Sequence, residues 1–253
     1  MTARRVFVPV LLFLAALGLW EIGVRVFSVP AYILPPPSRI LATFVGQFPL
    51  LLGHAGVTLA EILLGLLLGG AGGLGLAVLL FYSDGVRRAV EPFVIASQMV
   101  PVFAIAPLLI VWLGYGLWPK VVVSALIGFF PVAVNALDGL RSTRSDMVDL
   151  FRTMGASRRQ TLAKLFLPAA LPSLFSGLKV AATLSVVGAT IGEWVGARRG
   201  LGYLMLQSNA RLRVDLVFAA ILMLTLIGLS LFAGFRIIER RMLHWAAHGR
   251  RFG

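Results

Sequence analysis

No cysteine occurs in the 253 residues, which excludes a disulfide framework and any thiolate metal site. Acidic residues are also scarce: ten Asp and Glu stand against 23 Lys and Arg, giving a formal net charge of +13. In a soluble chain this excess would indicate nucleic acid binding, but here the basic residues lie at the ends of hydrophobic runs, as in membrane proteins. The sequence contains no His-Glu-x-x-His, Gly-x-Ser-x-Gly or Gly-x-x-x-x-Gly-Lys motif, so it predicts no catalysis and no ATP hydrolysis by a P-loop.

Long hydrophobic runs dominate what remains, with 59% hydrophobic residues and a mean hydropathy of +0.93. A helix that crosses a bilayer needs about 20 largely apolar residues, and several runs approach or exceed that length. We predict an all-α polytopic membrane protein with about six transmembrane helices, forming a single domain over residues 1–253. The expected spans are Val6–Phe27, Val57–Phe81, Phe93–Leu113, Val121–Leu137, Leu174–Ile191 and Leu216–Phe235. The first run lacks a clear small-residue cleavage site, so we expect a membrane helix there and not a cleaved secretory signal.

The distribution of Lys and Arg predicts the orientation of these spans. With the amino terminus inside, fifteen basic residues fall on the inner side, seven fall on the outer side, and Lys179 lies within a span. Because basic residues concentrate on the cytoplasmic side of membrane proteins, both termini are expected in the cytoplasm. The polar region between the fourth and fifth spans, about residues 138–170, is then cytoplasmic as well.

That region contains "DLFRTMGASRRQTLAKLFLP", from Asp149 to Pro168. Apolar residues recur there at the spacing of one helical face, which predicts a short amphipathic helix. Ser145 is expected to cap the start of this helix, and Gly155 to end it in the left-handed conformation. Ser157, with Gln160 three residues later, has the spacing of a capping box and predicts a second helix after the glycine. The residues of the apolar face are Met147, Leu150, Phe151 and Met154.

Two interpretations fit this helix-glycine-helix region. By periodicity alone, its apolar face would lie in the lipid headgroups. The sequence, however, resembles the cytoplasmic loop signature of the membrane subunits of ATP-binding-cassette (ABC) importers: Glu-Ala-Ala, three residues, Gly, nine residues, Ile, any residue, Leu-Pro. Gly155, Leu167 and Pro168 match in type and spacing, Asp149 stands for the Glu and Leu165 for the Ile. The two alanines are replaced by leucine and phenylalanine.

The resemblance implies a type I ABC importer permease fold, in which the short helix docks into a groove on a separate ATPase and couples its closure to the membrane helices. The residues assigned to this ATPase-coupling loop are Met147, Asp149, Leu150, Phe151, Met154, Gly155, Ala156, Ser157, Leu165, Leu167 and Pro168. No cofactor is expected on this chain, since ATP and Mg would bind to the ATPase.

Further stretches extend the resemblance over nearly the whole chain. "PAYILPPPSRI", "APLLIVWLGYG" and "GEWVGARRGLGYL" are similar to the branch that handles sulfonates, taurine, nitrate, thiamine-precursor pyrimidines or riboflavin. The resemblance implies a bacterial-type cytoplasmic membrane, a second copy of the permease, two ATPase subunits and an extracytoplasmic solute-binding protein as partners, with no nucleic acid. A secondary transporter or channel is the alternative, but no segment repeats as inverted-repeat transporters require.

Five residues are candidates for the translocation path. Glu61 and Lys179 are ionisable groups within spans, where charges are costly, and Glu193 begins the outer loop before the sixth span. Glu61 either contacts the path, pairs or extends toward the outer surface, and Lys179 either contacts the path or reaches the cytoplasmic interface. Gln98 and Pro101 add a polar group and a helix disruption to the third span, which indicates a pathway or a kinked packing helix.

Other patterns leave two readings each. Glycines at positions 65, 69 and 73 share one helical face, which favours packing within the chain over a dimer contact. Four arginines lie on the predicted outer side: Arg198, Arg199, Arg211 and Arg213. They either contact a binding protein or an anionic solute, or are solvated loop residues. His244 and His248 have metal-ligand spacing but no third ligand nearby, so no metal site is predicted.

Overall fold

The computed structural model describes the backbone of residues 2–243 and the side chains of residues 7–243. All regular elements in these residues are helical. They are α1 (Thr2–Val26), α2 (Pro37–Gly46), α3 (Phe48–Tyr82), α4 (Asp84–Ser97), α5 (Val102–Leu113), α6 (Trp118–Arg141), α7 (Ser145–Thr153), α8 (Arg158–Thr161), a π-helical turn (Leu162–Phe166), α9 (Leu167–Trp194), α10 (Leu201–Ala210) and α11 (Val214–Met242). The all-α prediction is confirmed.

Five helical segments of the described region are long and apolar enough to cross a membrane. Four of them contain a predicted span and extend beyond both of its ends, whereas the first, Phe7–Val26, is one residue shorter than predicted at each end. The second begins at Phe48, nine residues before the predicted Val57. The fifth predicted span belongs to a helical run of 37 residues, Arg158–Trp194, which starts in the polar region. Composition marks only the apolar centre of each helix, whereas the hydrogen-bonded backbone continues into polar flanks.

The third predicted span, Phe93–Leu113, is not one continuous helix. It divides into α4 and α5, which are bent by 97° at a short break. Pro101 is the residue before α5, and its ring removes the N–H that a continuing helix would use. Pro107, by contrast, lies inside α5 without ending it. If the bent pair is counted as one span, the described residues contain six, as predicted.

The described residues form two compact units. One contains the residues up to Val57 together with Arg198–Thr225. Within it, the rings of Trp20 and Phe218 pack with centroids 5.6 Å apart, and Thr43 Oγ1 donates a hydrogen bond of 3.0 Å to Asp215 Oδ2. These contacts join α1 and α2 to the start of α11.

The other unit contains Thr58–Ala197 and the residues from Leu226 onward, and α6 lies at its centre. Gly65, Gly69 and Gly73 of α3 face α6: a Cβ atom on Gly69 would lie 2.6 Å from the Ala125 carbonyl oxygen, and one on Gly73 would lie 2.7 Å from that of Phe129. On the other side of α6, a Cβ atom on Gly192 of α9 would lie 2.9 Å from Lys120 Cα. Packing within the chain, the favoured interpretation of the α3 glycines, is confirmed.

We expect Gly69→Val to destabilise this unit, because the new side chain would force α3 away from the backbone of α6. Overpacking of this kind costs about 1–3 kcal/mol. Thermal unfolding of the detergent-purified chain measures the effect. Gly75→Val is the control, since it lies on the same helix and its Cβ position has no atom within 4 Å. Equal losses of stability in the two variants would contradict the close-approach explanation.

Candidate functional site

The predicted helix-glycine-helix region is present, and it is called the elbow (residues 145–166). Gly155 has a φ of +72°, and it follows α7 and its final cap residue, Met154. Its N–H donates to the Arg152 carbonyl and the N–H of Ala156 donates to the Phe151 carbonyl, each over 3.0 Å. These two bonds form a Schellman motif, which satisfies the last carbonyl groups of α7 and turns the chain sharply.

The capping box that begins the second helix is also confirmed. The Ser157 side chain accepts a hydrogen bond from the Gln160 N–H at 3.3 Å, and the Gln160 side chain accepts one from the Ser157 N–H at 2.8 Å. The backbone is therefore fixed on both sides of Gly155, by the Schellman motif that ends α7 and by the capping box that begins α8. The elbow is a defined backbone geometry and not a flexible linker.

The prediction that Ser145 caps α7 is wrong. Arg144 occupies the cap position with extended backbone angles, and Ser145 is already the first helical residue. Arg144 instead forks onto Asp146, with its Nη2 2.7 Å from Oδ2. This hydrogen bond, followed by smaller backbone and charge contributions, lowers the pKa of Asp146 below its ordinary value. Asp146 therefore stays negative in the first turn, where it suits the helix dipole.

The apolar face of α7 is open in this chain. Met147, Leu150 and Met154 are 41%, 49% and 74% exposed, and Phe151 is partly buried. Val148 of the same helix lies against the protein instead, where it lines a cavity of about 420 Å³ together with Ala156 and Phe81. Exposed apolar side chains on one face of a helix, with another face in contact with the protein, are typical of a docking element.

The end of the elbow is anchored to the membrane helices. The Phe166 and Phe81 rings pack edge-on with centroids 4.6 Å apart, and the Tyr82 hydroxyl donates to the Arg158 carbonyl at 3.2 Å. Leu165 is buried, and Leu167 packs on the core formed with Ala136 and Leu140. α9 begins directly after the π-helical turn, and Pro168 is its second residue, in the first turn where a missing N–H is tolerated. The elbow thus continues without a break into α9.

The bend between α4 and α5 borders a cavity of about 340 Å³. Gln98 lines it, whereas Pro101 ends the break beside it. Most of the lining is apolar and includes the rings of Phe129 and Phe130 from α6. A mostly apolar cavity of this size with one amide group can take a small planar molecule, since such sites combine apolar walls with few polar groups.

Glu61 and Glu193 are brought together away from that cavity. Both are 1% exposed, and Lys120 from the first turn of α6 places its Nζ 3.9 Å from Glu61 Oε1. Thr58 Oγ1 donates to Glu193 Oε1 over 2.6 Å. The pairing of Glu61 rather than its extension to the surface is therefore observed, and a role in translocation stays a prediction for both carboxyl groups.

Lys179 forms an ion pair with the last helix. Its Nζ is 2.8 Å from Oε2 of Glu239 on α11, and both side chains are only about one-fifth exposed. This ion pair joins α9 to the last helix. The five candidate path residues are thus separated into the Glu61 and Glu193 cluster, the Lys179 pair, and Gln98 and Pro101 at the bend.

Sequence reasoning missed two partners, Lys120 and Glu239. Lys120 looked like a loop charge before the fourth span, although α6 starts at Trp118 and contains it. Glu239 lies among the basic residues at the end of α11, where nothing in the spacing indicates Lys179. An intramembrane charge is itself the available signal, because it requires a partner of opposite sign. His244 and His248 lie outside the described residues, and within those residues no cluster of three metal-ligating side chains occurs.

Comparison with known proteins gives concordant relatives. Residues 61–244 match the family model described as binding-protein-dependent transport system inner membrane component. The formylaminopyrimidine transport permease protein ThiX of Halalkalibacterium halodurans is 42% identical over 238 residues, covering 94% of this chain and 95% of the relative. The riboflavin transport system permease protein RibX of Chloroflexus aurantiacus is 36% identical, with 94% and 90% covered.

A third relative is the taurine transport system permease protein TauC of Escherichia coli, 30% identical with 91% and 85% covered. Among solved structures, a chain of the inward-facing MetNI methionine ABC transporter superimposes with a TM-score of 0.69 at 22% identity, covering 78% of this chain and 98% of that one. It shares the fold. The chain belongs to the binding-protein-dependent transport system inner membrane components, the permease subunits of ABC importers.

Proposed function

We propose that this permease forms the translocation path of an importer powered by a separate cytoplasmic ATPase, which holds the ATP and Mg. The single observation that supports this coupling is the elbow: α7 presents exposed apolar residues, and its base is continuous with α9 through α8 and the π-helical turn. A displacement of α7 by a partner would therefore be transmitted directly to a long membrane helix. The chain itself has no phosphate-binding loop.

The proposed assembly contains two copies of this permease, two ATPase subunits and an extracytoplasmic solute-binding protein, in a bacterial-type cytoplasmic membrane. The excess of basic residues on one side of the spans supports a cytoplasmic location for both termini and the elbow. In that orientation, α10 and its flanking loops face outward and are available to the binding protein. The four arginines of these loops are all exposed.

Among the solute types of this branch, we favour a small planar nitrogen heterocycle. The relatives at 42% and 36% identity are named for formylaminopyrimidine and riboflavin transport. Beside the bend, the cavity is lined by Gln98, whose amide has hydrogen-bond donors and an acceptor, and by the aromatic residues Phe129 and Phe130. Sulfonate, taurine and nitrate are the competing solutes, and their negative charge would find no cation in this lining.

We expect Gly155→Val to reduce ATPase co-purification and solute uptake together while leaving insertion and abundance normal. A β-branched residue at positive φ costs about 1 kcal/mol or more and would tilt the apolar face of α7. Gly155→Ala should be milder and Gly155→Asn milder still, since asparagine tolerates the left-handed region.

Gly85→Val is the matched control: that glycine also lies on the predicted cytoplasmic side, with ordinary φ and no close neighbour. The purified wild-type chain should hydrolyse no ATP without its partner. Full ATPase association in the Gly155→Val variant would instead favour α7 lying in the lipid headgroups, and hydrolysis by the chain alone would remove the subunit assignment.

We expect Gln98→Leu to lower uptake of a pyrimidine or flavin several-fold without reducing ATPase association, because the change removes the amide from a lining whose one other polar side chain is that of Ser97. Solute-stimulated ATPase activity of the reconstituted complex, measured with each solute type, identifies the preferred class. Gln47→Leu, a residue outside the cavity, is the control. Stimulation by taurine or a sulfonate alone would contradict the heterocycle assignment.

We expect uptake to slow when four arginines are replaced together by Gln: Arg198, Arg199, Arg211 and Arg213. The effect should be largest at low ionic strength, because the attraction between their positive charges and an acidic binding-protein surface or an anionic solute is least screened there. Uptake measured across a salt series tests this, with the wild-type series as reference. Identical curves for the two proteins would show that these arginines are solvated loop residues.

A further inference from the structure

A cavity lies between the elbow and the end of α3, on the side of α7 away from its exposed apolar residues. It has a volume of about 420 Å³, and both Val148 and Arg152 line it. These two residues are four positions apart and share one face of α7, whereas Leu150 and Met154 lie on the opposite face. The cavity is therefore distinct from the surface that is proposed to contact the ATPase.

The charged groups of the cavity lining are positive. Arg152 from α7 and Arg158 from the start of α8 line it, and its described lining residues include no carboxylate. Arg152 Nη1 donates to Asp149 Oδ1 at 3.3 Å, but the two side chains are 74% and 69% exposed. An ion pair this exposed is weak, and it occupies only one of the several N–H donors of the guanidinium group. Within the described part of the chain, the Arg158 side chain makes no hydrogen bond or ion pair, and its carbonyl accepts from Tyr82.

The hydroxyl groups of the lining are already engaged as donors. Tyr82 donates to the Arg158 carbonyl at 3.2 Å, and Thr161 Oγ1 donates to the Ser157 carbonyl at 3.0 Å. The two guanidinium groups are thus the available donors, and this arrangement suits an anion and not a cation. Because a guanidinium group forms two parallel N–H bonds to phosphate oxygens, a phosphate group is the anion that two arginines match best.

The position of the cavity favours a lipid as the source of that phosphate. α3 is long and apolar enough to cross a membrane, and it ends at Phe81 and Tyr82, which line the cavity. Aromatic residues concentrate where a span leaves the hydrocarbon, and basic pockets at this level bind the headgroups of anionic lipids. Leu79 lies three residues before Tyr82 on the same face of α3 and is 53% exposed, so an acyl chain can lie beside the cavity. A free phosphate ion would gain nothing from this apolar neighbour.

We propose that this cavity binds the phosphate group of an anionic phospholipid, with Arg152 and Arg158 contacting the phosphate oxygens. Because the two arginines lie on either side of Gly155, a bound headgroup joins α7 to α8 and holds the elbow against the end of α3. The lipid stiffens the elbow without contacting the exposed apolar face of α7. The site goes beyond the proposed transport function, since it depends only on this chain and its place in a membrane.

Native mass spectrometry of the full-length chain in detergent tests the site. With phosphatidylglycerol and phosphatidylcholine added in equal amounts, the wild type should retain phosphatidylglycerol with a several-fold preference. Replacing Arg152 and Arg158 together by Gln should abolish the preference. Lys at both positions should keep part of it, because the charge remains but the parallel N–H bonds are lost. The matched control replaces Arg159 and Lys164 by Gln, which removes the same charge from exposed positions of the elbow outside the cavity lining.

Equal retention of the two lipids by the wild type, or equal loss of the preference in the two double Gln variants, would overturn the proposal. Binding of inorganic phosphate alone, with release of phosphatidylglycerol in its presence, would assign the cavity to a free phosphate ion and overturn the lipid assignment. Thermal unfolding shows whether each variant is folded. The single variants Arg152→Gln and Arg158→Gln, each expected to weaken the preference, carry the test if the double variant is not. ATPase association and uptake are separate measurements on the reconstituted complex: their failure with an intact lipid preference would contradict the transport proposal alone.

Discussion

Close backbone contact between α6 and its two neighbours, α3 and α9, is the constraint on which the rest of the second unit depends. Gly69 and Gly73 allow α3 to approach the carbonyl groups of α6, and Gly192 allows α9 to approach Lys120. In lipid, helices gain little from burying apolar surface, so such close packing supplies much of the association energy. It also leaves polar groups in the contact region no access to lipid or bulk water.

Charges within this packed region must therefore find partners in the protein. Lys179 does so completely with Glu239, one positive group for one negative group at 2.8 Å. Glu61 has the Lys120 ammonium group at 3.9 Å, and Glu193 accepts a hydrogen bond from Thr58. Both clusters follow the same rule, that a charge removed from water needs a partner of opposite sign or a hydrogen-bond donor.

The elbow depends on the same packing for its connection to the membrane helices. Its Schellman motif and capping box fix the turn at Gly155, and the edge-on contact of Phe166 with Phe81 holds its base against the end of α3. From there the chain continues through the π-helical turn into α9, whose far end carries Glu193. One helix thus joins the proposed ATPase contact to the buried cluster of Glu61 and Glu193. Rigid helices transmit displacement because their cores do not deform continuously.

Sequence by itself determined the membrane class, the approximate spans and the elbow, because hydropathy, helix capping and the positive φ of Gly155 are local properties of a few adjacent residues. It misplaced the cap of α7 at Ser145, since neighbouring residues compete for that position through side-chain contacts such as the Arg144 pair with Asp146. The 97° bend and the partners of Glu61 and Lys179 required the tertiary structure. Those contacts join residues about 60 positions apart, and only the packing of whole helices decides which of them meet.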